Sequence, residues 1–127
     1  YNKNNIKNNV FDFSNNILDL LLSSNLAISR CGASTTAELV QTLTPFIAIP
    51  YPHSTDNHQY LNAKHYEEKG CCWLLKESNF NSDKLHNLIL EILNDKNKLE
   101  KTQQNMKKND NKSVYTKVEK VLEEFIK

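Results

Sequence analysis

What most constrains this chain is an alternation of two periods. Short apolar runs of β-like character lie at residues 10–13, 26–29, 46–49 and 71–75, and each is followed by a segment with helical spacing. A strand that must pass through a helix before reaching the next strand cannot return in a tight hairpin. The pattern therefore predicts βαβ units, an α/β fold with a Rossmann-like parallel sheet and helices covering both faces. The first helix carries Ile17, Leu18, Leu20, Leu21 and Leu22 behind a Ser14-Asn15-Asn16 cap, and further helices are expected over residues 36–43 and 57–69. Pro50-Tyr51-Pro52 closes the third run, and Gly70 falls where a left-handed residue ends a helix at little cost. Beyond residue 75 the strands stop. Ser82-Asp83 is expected to cap a helix with Leu85, Leu88, Ile89, Ile92 and Leu93 on one face, and residues 94–111 read as helical or frayed. Val114, Val118, Val121, Leu122 and Phe125 mark a last amphipathic helix, expected to pack on the domain's own sheet, with reach toward a missing partner domain as the alternative.

The 127 residues suit one domain with a buried core. With a net charge of +1 and no basic block, the chain offers no nucleic-acid groove, and an anion must be gripped by local geometry. No apolar stretch reaches bilayer length and no signal peptide is visible; the chain starts at Tyr1, so a piece of a longer protein is expected. Cys31, Cys71 and Cys72 are odd in number and lack zinc spacing, which reads as reduced, mostly buried thiols of a cytoplasmic protein. His53, His58, His65 and His86 share no ligand spacing either, so neither a metal nor a cofactor is expected.

Parallel sheets bind ligands at the carboxyl ends of their strands, which here points to residues 30–35 and 50–56. One of the chain's two glycines, Gly32, sits in the first loop, followed by Ala33, Ser34 and Thr35. Gly32 lets main chain approach a ligand, the amides after it sit at a helix start, and Ser34 and Thr35 add hydroxyls, a combination suited to phosphate. Glu38, one turn on, could accept from both hydroxyls of a ribose. Each feature has a plainer reading: Thr35-Thr36-Ala37-Glu38 matches a capping box, and Gly32 could answer an unusual backbone angle. In the second loop Asp56, His58 and Gln59 could hydrogen-bond sugar hydroxyls, while Asp56 with Gln59 also reads as a cap and its reciprocal partner.

The stretch at residues 29–63, SRCGASTTAELVQTLTPFIAIPYPHSTDNHQYLNA, resembles the nucleotide-sugar half of the MurG family of murein-pathway N-acetylglucosaminyltransferases. Arg30, Gly32, Ala33, Thr35 and Glu38 fit its first block, Pro45 and Pro50 the middle, and Asp56, Gln59, Asn62 and Ala63 the last. Cys31 stands where Ser or Ala is usual, His58 where Gln is usual, and Leu43 where a glycine commonly ends the helix. The resemblance extends more loosely over nearly all of residues 1–127. It implies a GT-B glycosyltransferase of which this is a single, incomplete C-terminal nucleotide-sugar-binding domain, without the N-terminal acceptor domain and its general base. The implied donor is UDP-GlcNAc, with Gly32, Ala33, Ser34 and Thr35 lining the diphosphate, Glu38 holding the ribose, and His58 and Gln59 contacting GlcNAc. The implied reaction is inverting transfer of GlcNAc to lipid I, giving lipid II for peptidoglycan synthesis, and thereby serving cell shape and division. It would take place at the cytoplasmic face of the membrane, which the full-length protein meets peripherally. Alone, the piece is expected to be inactive and to self-associate through exposed sheet edge. Two other readings stay open: a separate donor-binding subunit of a split glycosyltransferase, and a nonenzymatic interaction module.

Overall fold

The computed structural model describes residues 6–11 and 16–109. In chain order these form α1 (Ile17–Leu22), β1 (Ala27–Ser29), α2 (Ala33–Gln41), β2 (Phe46–Ala48), α3 (His58–Glu68), β3 (Cys72–Leu74), α4 (Ser82–Asn94) and α5 (Lys96–Lys108), with short 3-10 turns at Thr55–Asn57 and Glu77–Asn79. The three strands are parallel in the order β1-β2-β3, with Ala27, Phe46 and Cys72 in one row, Ile28, Ile47 and Trp73 in the next, and Ser29, Ala48 and Leu74 in the third. The expected α/β architecture is thus present, with each strand crossing to its parallel neighbour through a helix.

Alternation along the strands divides the apolar side chains between two faces. Phe46, Ala48 and Cys72 join Leu39 and Val40 of α2, Ala63 of α3 and Met106 of α5 in one buried cluster. Ile47 is fully buried yet stands outside that cluster, on the opposite face with Ile28. α4 lies on that side: Ile89 and Leu93 line a groove together with Ile28, and Ile92 of the same helix is fully buried. β2 is the central strand and buried at every position, which explains its run of apolar residues without alternation. At the outer side of β3, Glu67 of α3 accepts a hydrogen bond from Leu74 N at 3.1 Å, blunting that edge.

Several boundaries depart from expectation. No strand forms at Val10 and Phe11; Val10 is 77% exposed, and the other half of that run, residues 12 and 13, lies outside the described residues. Among the described residues, no strand pairs with Val10 or Phe11 to take up their amides. The cap expected at Ser14-Asn15-Asn16 reduces, within the described residues, to Asn16, which makes no side-chain cap bond. α4 is capped by Asn81 rather than by Ser82-Asp83: the Asn81 carboxamide accepts from Lys84 N at 2.8 Å, while Asp83 sits in the first turn, where its charge suits the helix dipole. The frayed-looking segment is a full helix, α5, capped by Asp95 and ending in Lys107 and Lys108. It packs on α2 and α4 and buries Thr102 and Met106. The amphipathic helix expected over 114–125 lies outside the described residues.

Candidate functional site

α2 begins three residues earlier than its apolar period suggests. Its N-cap is Gly32, with φ −64° and ψ 152° and no side-chain cap bond. This overturns the capping box: Thr35 lies inside the helix, and Glu38 is too far along to reach the cap. The backbone-angle reading of Gly32 fails as well, since its φ is ordinary for any residue. Nor does packing require glycine there, because an added Cβ would meet nothing within 4 Å. Among the described residues, nothing crowds Gly32 at this helix start. Ala33, Ser34 and Thr35 are exposed, and no side chain among the described residues accepts from their amides. Thr36, Leu39 and Val40 form the buried stripe of α2. Glu38 stands off that stripe, one turn from Ser34 and Thr35 and half-buried; its carbonyl accepts from Thr42, while its carboxylate makes no hydrogen bond or ion pair among the described residues.

The second loop reaches the same end of the sheet and is tied to the first by α3. Gln59 Oε1 accepts from Tyr51 N at 2.9 Å and from Cys31 N at 3.2 Å, one amide from each loop. Asn62 Nδ2 donates to Cys31 O at 2.9 Å and to Thr36 Oγ1 at 2.8 Å. The reciprocal cap read from Asp56 and Gln59 does not form. Ser54 Oγ accepts from Gln59 N at 3.2 Å instead, and Asp56 and Asn57 both take left-handed angles, φ 51° and 59°. That tight double turn leads into α3, with His58 exposed and Gln59 half-buried in its first turn; of the two, Gln59 is bonded to the first loop. With its oxygen engaged twice, Gln59 has only its Nε2 hydrogens left to offer outward.

The model of the glycosyltransferase family 28 C-terminal domain matches residues 1–120. The chain belongs to that family. Among relatives of this family 28 domain, the UDP-N-acetylglucosamine–N-acetylmuramyl-(pentapeptide) pyrophosphoryl-undecaprenol N-acetylglucosamine transferase of Rickettsia prowazekii is 42% identical over 106 residues, 84% of this chain and 28% of the relative. The enzyme of the same name from Campylobacter jejuni subsp. doylei is 41% identical over 92 residues, 72% of this chain and 27% of the relative. That from Pelagibacter ubique is 37% identical over 107 residues, 84% of this chain and 30% of the relative. The chain thus spans less than a third of the length of these relatives. A crystal structure of MurG from Acinetobacter baumannii superimposes with a TM-score of 0.73 at 22% identity, over 88% of this chain and 33% of that one, which bears out the fold.

Other residues of the family 28 domain join the site without having stood out as ligand contacts. Arg30 Nη1 lies 3.2 Å from Glu77 Oε2, beyond β3, and 3.4 Å and 3.5 Å from the carbonyls of Ile49 and Pro50. Its guanidinium also faces the Tyr51 ring at 5.7 Å. Glu77 carries no sequence signal for this role, because its partner lies 47 positions away. Asn62 did have a signal, its place in the last family block. Two cavities flank the mouth of α2 without being lined by it. One of about 330 Å³ lies among Ile28, Arg30, Ile49, Glu77 and Phe80, and one of about 200 Å³ lies among Tyr51, Asn57, Tyr60 and Lys76. Cys31, Cys71 and Cys72 are free and buried, as expected of inert thiols. Burial pushes the Cys31 thiol up to about 11, with Arg30 working against the shift, and raises Cys71 and Cys72 in the same direction. Among the described residues no three His, Cys, Asp or Glu side chains are grouped to hold a metal, and no helix is long and apolar enough to cross a membrane.

Proposed function

We propose that this chain is the donor-binding portion of an inverting glycosyltransferase that moves GlcNAc from UDP-GlcNAc to lipid I, forming lipid II for peptidoglycan. The observation that carries the reading is Gly32: neither its backbone angles nor its packing calls for glycine, and it opens a helix start whose first amides no side chain among the described residues caps. A diphosphate suits that place, since unpaired N–H groups and the helix dipole both favour negative charge. In this reading Gly32, Ala33, Ser34 and Thr35 line the diphosphate. The Glu38 carboxylate, with no ion pair or hydrogen bond among the described residues, accepts from the ribose hydroxyls. His58 and the Nε2 group of Gln59 face GlcNAc. As the glycosidic bond breaks, charge grows on the departing UDP, and amides already fixed by the fold stabilise it without reorganising. The general base, the lipid I site and the membrane-facing surface belong to an acceptor domain outside this chain, and the complete enzyme works peripherally at the cytoplasmic face of the membrane.

The relatives' shared name and the match of Arg30, Gly32, Ala33, Thr35, Glu38, Gln59 and Asn62 to the family blocks support this reading. Titration calorimetry with UDP-GlcNAc and UDP-glucose tests it. Selective heat with UDP-GlcNAc is expected, and equal indifference to both in a folded sample counts against it. Glu38→Ala should weaken nucleotide binding about tenfold, as expected for losing hydrogen bonds to a charged group. It should also leave stability within about 0.5 kcal/mol, because the side chain holds nothing within the fold.

A further inference from the structure

Cys31 is the point on which two side chains of α3 converge. Gln59 takes its amide, and Asn62, one turn on, takes its carbonyl. A carbonyl can only accept, so chemistry fixes the Asn62 nitrogen, not its oxygen, as the atom facing Cys31. The second hydrogen of that nitrogen goes to Thr36 Oγ1, which is fully buried and donates in turn to Gly32 O at 3.0 Å. The Gly32 carbonyl is held anyway by Thr36 N, the first bond of α2. The peptide that depends on Asn62 is therefore the one between Cys31 and Gly32.

Peptides here are all trans, so the carbonyl and the N–H of one peptide point in opposite directions. Drawing the Cys31 carbonyl toward α3 turns the Gly32 N–H the other way, toward the open side of the helix mouth. We propose that Asn62 is a positioning residue for the pyrophosphate of the donor: it aims the Gly32 amide by holding the carbonyl of the same peptide. The assignment rests on the nucleotide reading above. It gives Asn62 a role inside the fold, because both hydrogens of its nitrogen are spent there, on Cys31 O and Thr36 Oγ1. Without the Asn62 donor, the Cys31–Gly32 peptide is free to rotate, and the amide nearest the helix start no longer points at the anion.

The test compares UDP with uridine by titration calorimetry on the complete polypeptide. Asn62→Ala should lower UDP affinity about tenfold or more while leaving uridine affinity within about twofold, since only the phosphates meet the re-aimed amide. Asn62→Asp, which keeps the shape but cannot donate to a carbonyl, should show the same split. An equal loss for both ligands would mean a merely structural role and overturn the assignment, as would an unchanged UDP affinity. Unaltered protein supplies a check that needs no variant: on adding UDP, the Gly32 amide proton should move downfield in the NMR spectrum, and a Gly32 signal that stays put overturns the assignment. If wild-type protein ignores UDP altogether, the nucleotide reading itself fails and the assignment with it.

Discussion

The chain's two glycines, Gly32 and Gly70, are kept for opposite reasons. Gly32 has ordinary angles and empty space in front of it, whereas Gly70 has φ 74° and a crowded position. A Cβ at Gly70 would run into the Asn105 amide, the same group that donates to Gly70 O at 3.2 Å and fastens α5 to the end of α3. Gly70→Ala should therefore destabilise by about 1–3 kcal/mol, combining left-handed strain with a displaced Asn105. A urea midpoint indistinguishable from wild type would contradict this. Gly70 was legible in the sequence because helix stops are local. That Gly32, and not Thr35, caps α2 was not legible, because a capping-box pattern carries no information about where the helix is made to begin. Leu43 adopts φ 55°, and its side chain packs against the core cluster. The buried thiols add a pH dependence. In the unfolded chain Cys31 ionises at its ordinary value near 9, but in the fold only near 11. Between those values the unfolded chain sheds a proton the native state keeps, so stability should fall as pH rises through that window. Urea midpoints at pH 7.5 and 10.5 measure the fall, and Cys31→Ala should make it shallower.

At the scale of elements, the helices divide the work. α4 supplies an apolar stripe, and its period was visible in the sequence because amphipathic spacing is written residue by residue. Ile92 is 0% exposed at the centre of that stripe, while Leu90 on the same helix is 43% exposed. Ile92→Ala should cost about 2–5 kcal/mol and Leu90→Ala much less, as chemical denaturation would show; similar costs would mean α4 is not seated on the Ile47 face. α3 contributes differently. Its apolar content is modest and only Ala63 is fully buried, but Gln59, Asn62 and Glu67 each bond main chain outside the helix. These polar contacts were not legible. An Asn or Gln in a helix sequence looks solvated, and only packing reveals that its amide meets a loop.

For the molecule as a whole, the sheet is finished on one side and open on the other. Glu67 caps the β3 edge, whereas β1 pairs only with β2 among the described residues, and Ile28, Phe80 and Leu93 are about half exposed nearby. Such an edge beside apolar surface favours pairing with another chain. The 127-residue chain by itself should show a mass-average that rises with concentration in sedimentation, and Ile28→Lys should suppress the rise. A strictly monomeric profile at high concentration would rule this out. The sequence by itself determined the order of elements from α1 to α4, the parallel connection of strands and the family, since each is carried by local period or by contiguous motif; the strand expected at residues 10–13 was not among them. Tertiary structure alone decided which residues meet at the site: Arg30 with Glu77, Gln59 with two separate loops, Asn62 with the Cys31 carbonyl. The physical reason is that hydrogen bonds are short and directional. Whether one forms across dozens of residues depends on how helices seat on the sheet, and seating follows from packing rather than from any residue's neighbours in the chain.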